Sequence, residues 1–202
     1  LKGYLYQNLI IVGDLFEGDG IISDEQFEII EHLRKMLKNK NKIICVDGNH
    51  DPVEKGLARK FIGIDVRKKY EWKMGGKKFC AIHGHQFDKF CFVFSEPLID
   101  KIFSSSTWLL KMINILGFNV AKWVDDLHNK FSRHIAKKAI EYAEKNRIDV
   151  IICGHTHLPL HFVSSDKNGR TIDYYNLGCW VENLGSHITI DENDKIELHS
   201  ML

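Results

Sequence analysis

The sequence predicts an α/β fold whose main strands are covered on both faces, from three observations. Four short apolar, β-branched runs are bounded by glycine, which is how strands buried on both sides read. Each run leads at once into polar side chains able to bind a metal. Between the first two runs lies an amphipathic segment, so the chain there reads strand, helix, strand.

In order, Leu9-Ile10-Ile11-Val12 leads into Gly13-Asp14. Ser23 then stands as a helix N-cap with Gln26 three residues on, and Phe27, Ile30, Leu33 and Leu37 recur at helical spacing. Ile43-Ile44-Cys45-Val46 leads into Asp47-Gly48-Asn49-His50-Asp51. Residues 61–82 read as short strands with a hairpin turn at Gly75-Gly76, the last ending Phe79-Cys80-Ala81-Ile82 before His83-Gly84-His85. Residues 88–146 read as three or four inserted helices, broken at Pro97 and Gly117. Val150-Ile151-Ile152-Cys153 leads into Gly154-His155-Thr156-His157. Further strands follow around His161, from Thr171 to Tyr175, from His187 to Ile190 and around Glu197, with a turn at Asp166 to Gly169. Residues 1–202 therefore form a single domain carrying a helical insertion at 88–146.

Composition narrows the function. With 202 residues, 44% of them hydrophobic, the chain fills one core. The net charge of +1 argues against an electrostatic nucleic-acid binder. Cys45, Cys80, Cys91, Cys153 and Cys179 include no CxxC pair and their odd number fits a disulfide framework poorly; Cys45, Cys80 and Cys153, inside apolar runs, suit buried thiols of a cytoplasmic protein. No secretory leader or spanning segment is expected.

Four strand ends carry the chemistry, as ligands do in sheets of this kind. Asp14 can bridge two cations with its two oxygens, aimed by Gly13; by itself, Gly-Asp is more often a plain turn. Asn49 can ligate through a neutral amide oxygen. His50 beside it can donate a proton or stabilise charge at a phosphate, with Asp51 orienting its ring. The bland alternative is a polar capping turn. Either both His83 and His85 ligate, or one supports the other; His83, nearer the strand end, is the more rigidly placed. His155 and His157 can each give a ring to one of two ions if their loop curls. Alone they would be solvated loop histidines; together the four loops describe a metal centre.

These motifs resemble the calcineurin-like metallophosphoesterase superfamily, whose pattern is Asp-x-His, Gly-Asp, Gly-Asn-His-Asp/Glu, a later histidine loop and Gly-His-x-His. Four of the five blocks are present, in order, within residues 13–157. The resemblance implies a four-layer sandwich of two mixed β-sheets flanked by helices. It makes Asp14 the bridging ligand and Asn49, His83 and His155 the other protein ligands of one ion. His157 would serve the second ion, and His50 would be the catalytic histidine steadied by Asp51. It also implies two divalent ions, Mn first with Fe or Zn fitting the same donors, and an attacking hydroxide that bridges them. The Asp-x-His block is expected about 25 to 35 residues before Asp14. Only thirteen residues precede Asp14 and none forms that block, so upstream sequence is expected to supply it.

A narrower likeness rests on Gly13-Asp14-Leu15-Phe16-Glu17, His83-Gly84-His85-Gln86-Phe87-Asp88, the insertion, Gly154 to Pro159, and Asn176-Leu177-Gly178-Cys179-Trp180-Val181-Glu182. It is similar to the branch containing UDP-2,3-diacylglucosamine diphosphatases, in which a helical cap holds acyl chains. Gly-Asn-His-Asp stands here where Gly-Asn-Arg-Asp is usual in that branch. The likeness implies hydrolysis of a pyrophosphate or phosphodiester bond in a lipid-linked nucleotide. Phe92, Phe94, Trp108, Leu109, Ile113, Ile115 and Phe118 would then line a lipid groove, or else pack helices. Such a groove would give the cap peripheral contact with the inner membrane. Two other readings stand beside it: a phosphoesterase acting on other nucleotides, phosphoproteins or nucleic acid, and a catalytically weak, metal-stabilised binding protein.

Overall fold

A computed structural model describes residues 8–16, 24–51, 56–88, 120–180 and 185–200. The first strand β1 (Asn8–Val12), helix α1 (Asp24–Lys38) and β2 (Lys42–Val46) form the expected strand–helix–strand unit. Next come α2 (Leu57–Phe61), β3 (Val66–Arg67), β4 (Tyr70–Met74) and β5 (Lys77–Ala81), then a 3-10 turn at His85–Phe87. Helix α3 (Val120–Asn146) leads into β6 (Val150–Cys153), β7 (Pro159–Ser165), β8 (Thr171–Leu177), β9 (Ser186–Ile190) and β10 (Ile196–Ser200). Ser23, the cap residues 89–119, and Val181 and Glu182 lie outside the described residues.

The α/β class is as expected, and the sheets differ in detail. Among the described residues there are three: β1-β2-β3, a five-stranded β4-β5-β6-β8-β7, and the hairpin β10-β9. The first is wholly parallel and the second mixed. Gly75 and Gly76 both have positive φ, which closes the β4–β5 hairpin as a two-residue turn. The short helix α2 has no counterpart in the sequence reading, because five residues are too few to show a helical period.

Alternation along each central strand sorts the core into layers. On β6, Ile151 and Cys153 face α3, where Ala136, Ala139 and Ala143 pack against them together with Cys80, Ile172 and Tyr174. Three alanines on that face let the helix axis come close to the sheet. Val150 and Ile152 face the other way, with Phe79 and Tyr175, toward Ile188, Ile190, Ile196 and Leu198 of the hairpin and Val12 of β1. Helices α1 and α2 cover the first sheet through Ile30, Leu33, Met36, Ala58 and Ile62. Cys45, Cys80, Cys153 and Cys179 are buried free thiols, and burial pushes Cys45 up to about 12 and Cys80 to about 11. Among the described residues no helix is long and apolar enough to cross a membrane.

Candidate metal centre

Parallel pairing continues just past the strand ends, and this sets the site. Gly13 N–H donates to the Val46 carbonyl at 3.0 Å, extending β1–β2. Ile82 N–H donates to Ile152, and Gly154 N–H to the His83 carbonyl at 2.8 Å, extending β5–β6. The tips carrying Asp14, Asn49, His83 and His155 therefore emerge on one edge. A Cβ at Gly13 would overlap the His83 ring, and one at Gly48 would overlap the Asp14 carboxylate. Only glycine allows this approach, and at Gly13 φ is also +77°.

The side chains meet. His83 Nε2 stands 2.9 Å from Asp14 Oδ2 and 3.2 Å from Asn49 Oδ1. His155 Nδ1 stands 3.1 Å from the same Asn49 oxygen. The His83 and His155 rings are 5.2 Å apart. Six described non-glycine residues have positive φ, and Asp14, His155 and His157 are three of them. Backbone strain of this kind collects where a site over-determines geometry.

Behind each ring is a second acceptor. His83 Nδ1 lies 3.0 Å from the Val12 carbonyl, and His155 Nε2 lies 3.0 Å from Asp88 Oδ2. With its outer N–H given to that partner, each ring has its inner nitrogen free to act as a lone-pair donor on the side of Asn49. A cation between the atoms would satisfy both rings and the oxygens at once; in its absence a second ring proton on His83 pairs that ring with Asp14. For His155 the second proton is opposed: burial, outweighing the Asp88 carboxylate, lowers its pKa. Two imidazole nitrogens, a carboxylate and an amide oxygen suit a divalent transition ion, so these residues fit the metal that the sequence implies. Among the described residues no three His, Cys, Asp or Glu side chains alone stand at metal-holding spacing. The Asn49 amide is what joins Asp14 and His83 to His155.

Burial works to raise the Asp14 pKa, but the hydrogen bond and charge of His83, with the N–H of His50, bring it down to about 2. His50 N–H donates to Asp14 Oδ1 at 3.0 Å. Asp51 is buried and takes four backbone donors. Its Oδ1 accepts from Asp14 and Gly48, at 3.0 and 3.1 Å, and its Oδ2 from Leu15 and Phe16, at 2.8 and 3.2 Å. Both oxygens are thus occupied in tying the β1 loop to the β2 loop, a different contact from the ring-orienting one expected. Burial raises its pKa, against these donors. His85 lies beside His83, with ring centroids 5.4 Å apart, and burial with its two histidine neighbours lowers it to about 4. His157 is half-buried on the far arm of the Gly-His-Thr-His loop. Among the described residues it makes no hydrogen bond, ion pair or ring contact with Asp14, Asn49, His83 or His155. Asp88, the last residue of the His83 to Asp88 motif, is the support that the sequence does not signal. Its bond to His155 spans 67 positions, and no spacing signal announces it.

The sequence profile of the calcineurin-like phosphoesterases matches residues 5–159, which takes in every one of these loops. The chain belongs to the calcineurin-like phosphoesterase family. It is a phosphoester hydrolase. A UDP-2,3-diacylglucosamine hydrolase from Blochmanniella pennsylvanica (strain BPEN) is 26% identical over 206 residues, covering 92% of this chain and 80% of that protein. Among solved structures, an archaeal phosphodiesterase is similar at 16% identity, covering 96% of this chain and 83% of that one with a TM-score of 0.46. A predicted phosphoesterase from Streptococcus pneumoniae is similar at 14% identity, covering 96% and 97%, with a TM-score of 0.42.

Proposed function

We propose that this phosphoesterase hydrolyses the diphosphate of a lipid-linked nucleotide of the UDP-2,3-diacylglucosamine type, using divalent cations with Mn as the first choice. The observation that carries the metal reading is the convergence of Asp14, Asn49, His83 and His155 with an acceptor behind each ring. The substrate class is supported by the likeness to a UDP-2,3-diacylglucosamine hydrolase along 92% of this chain.

The cations, when bound, supply positive charge against the phosphate oxygens and acidify the attacking water. In this reading Asp14 would be shared between the two ions, Asn49, His83 and His155 would complete one ligand set, and His157 would serve the other. The Val12 carbonyl and the Asp88 carboxylate hold the two outer ring protons, so each inner nitrogen is presented as a lone pair. His50, whose N–H anchors it to Asp14, donates a proton to the leaving oxygen. Asp51 acts one step back, by holding the loops that carry Asp14 and Asn49. The protein works in the cytoplasm, with the cap segment in peripheral contact with the membrane that holds the acyl chains.

The experiment is a substrate panel in Mn²⁺ and in EDTA: UDP-2,3-diacylglucosamine, a UDP-sugar without acyl chains, and bis-p-nitrophenyl phosphate. Release of UMP from the diacylated substrate, faster than from the bare UDP-sugar and abolished by EDTA, is the expected result. Cleavage of bis-p-nitrophenyl phosphate alone would keep the class and remove the lipid-linked substrate. Equal turnover in EDTA would remove the metal.

A further inference from the structure

The Gly-His-Thr-His loop is strained and short of support from its own backbone. His155 has φ of 70° and His157 of 56°, and between them Thr156 N–H folds back onto the Gly154 carbonyl at 2.8 Å. From the sheet side, Asn176 Nδ2 donates to the Gly154 carbonyl at 2.6 Å, which fixes the start of the loop. Its middle is fixed from elsewhere. His128, on α3, places Nε2 2.5 Å from the Thr156 carbonyl, and three positions on, the Phe131 ring packs edge-on to His155 with centroids 6.0 Å apart. Helix α3 is itself anchored in the core by Ala136, Ala139 and Ala143.

We propose that His128 is a positioning residue for the metal centre, through which the helix that closes the insertion sets the affinity for the ion held by His155. The carbonyl it grips belongs to the residue joining His155 to His157, so the bond restrains the backbone dihedrals that aim both rings. Releasing that carbonyl lets the strained loop relax toward negative φ, and the inner nitrogen of His155 swings off Asn49. The cost falls on cation binding, where four donors must stay aligned, and not on the core, which α3 reaches further along its length. Outer partners of metal ligands carry about 10- to 100-fold in affinity when removed. A displacement of α3 on substrate entry would therefore be felt at the ion.

The proposal rests on the metal reading above, and the test keeps the two apart. Wild type, His128→Ala and His128→Gln are titrated with Mn²⁺ alone by calorimetry, and their melting is followed in EDTA. The glutamine amide nitrogen reaches the place of Nε2 and keeps the donor. The expected result is Mn²⁺ affinity at least about 10-fold weaker in His128→Ala, restoration in His128→Gln, and melting in EDTA unchanged for both. Wild-type affinity in His128→Ala, failure of glutamine to restore it, or a parallel loss of thermal stability in EDTA would overturn the positioning role alone. A wild-type protein that takes up no Mn²⁺ would overturn this role and the metal reading together.

Discussion

At the residue scale, the centre depends on groups that never touch an ion. Asp51 gathers four backbone N–H groups from two loops at 2.8 to 3.2 Å, in a buried position. Deleting that carboxylate leaves buried donors unpaired, each at a cost of about 1 to 3 kcal/mol. Asp51→Ala is expected to destabilise the protein by about 3 kcal/mol or more, measured by urea unfolding in EDTA so that metal binding plays no part. If Asp51 served only to orient the His50 ring, stability without metal would stay at the wild-type level. Asp88 is the same kind of group at another place. Its carboxylate is buried, 3% exposed, and holds the far side of the His155 ring.

At the scale of elements, α1 shows how a periodic pattern is trimmed by what it packs on. Phe27, Ile30, Leu33 and Leu37 share helical spacing, but Phe27 is 56% exposed whereas Ile30 and Leu33 are 3% exposed. A helix of 15 residues spans about 22 Å, while the five-residue strands beneath it span about 17 Å. The first turn therefore overhangs the sheet, and the buried stripe runs from Ile30 to Met36. Leu33→Ala is expected to cost about 2 to 5 kcal/mol in urea unfolding. Phe27→Ala is expected to stay within about 0.5 kcal/mol, and equal losses would place Phe27 in the core. The same logic explains what was legible elsewhere. Strands β2, β5 and β6 are legible because burial on both faces writes an unbroken apolar run, and β1, only half-buried, carries a run of the same kind. Their polar tips were readable because each run stops abruptly at one. The supports at Asp88 and His128 were not, since their contacts with the loop at 155–157 cross 67 and 28 positions and leave no periodic trace.

At the scale of the whole molecule, the site makes the metal-free protein sensitive to acid. Burial, with His83 and His155 alongside, lowers His85 from 6.5 to about 4, and burial also lowers His155. Between those values the unfolded chain binds protons that the folded one refuses, so stability is full above about 6.5 and falls as pH drops toward about 4. Asp14, held down at about 2, extends the loss below its usual 3.8. In EDTA the urea midpoint is expected to fall between pH 7 and pH 4.5, less steeply in His85→Gln. A flat profile would show that these rings meet water in the folded state. The metal reading requires four loop tips, drawn from strands far apart in the chain, to close on one cation. Anomalous diffraction at the manganese edge, from crystals grown with Mn²⁺, tests it most directly. The expected peak lies about 2.0 to 2.3 Å from Asp14 Oδ2, Asn49 Oδ1, His83 Nε2 and His155 Nδ1. A peak away from these four atoms, or none at saturating Mn²⁺, would contradict it.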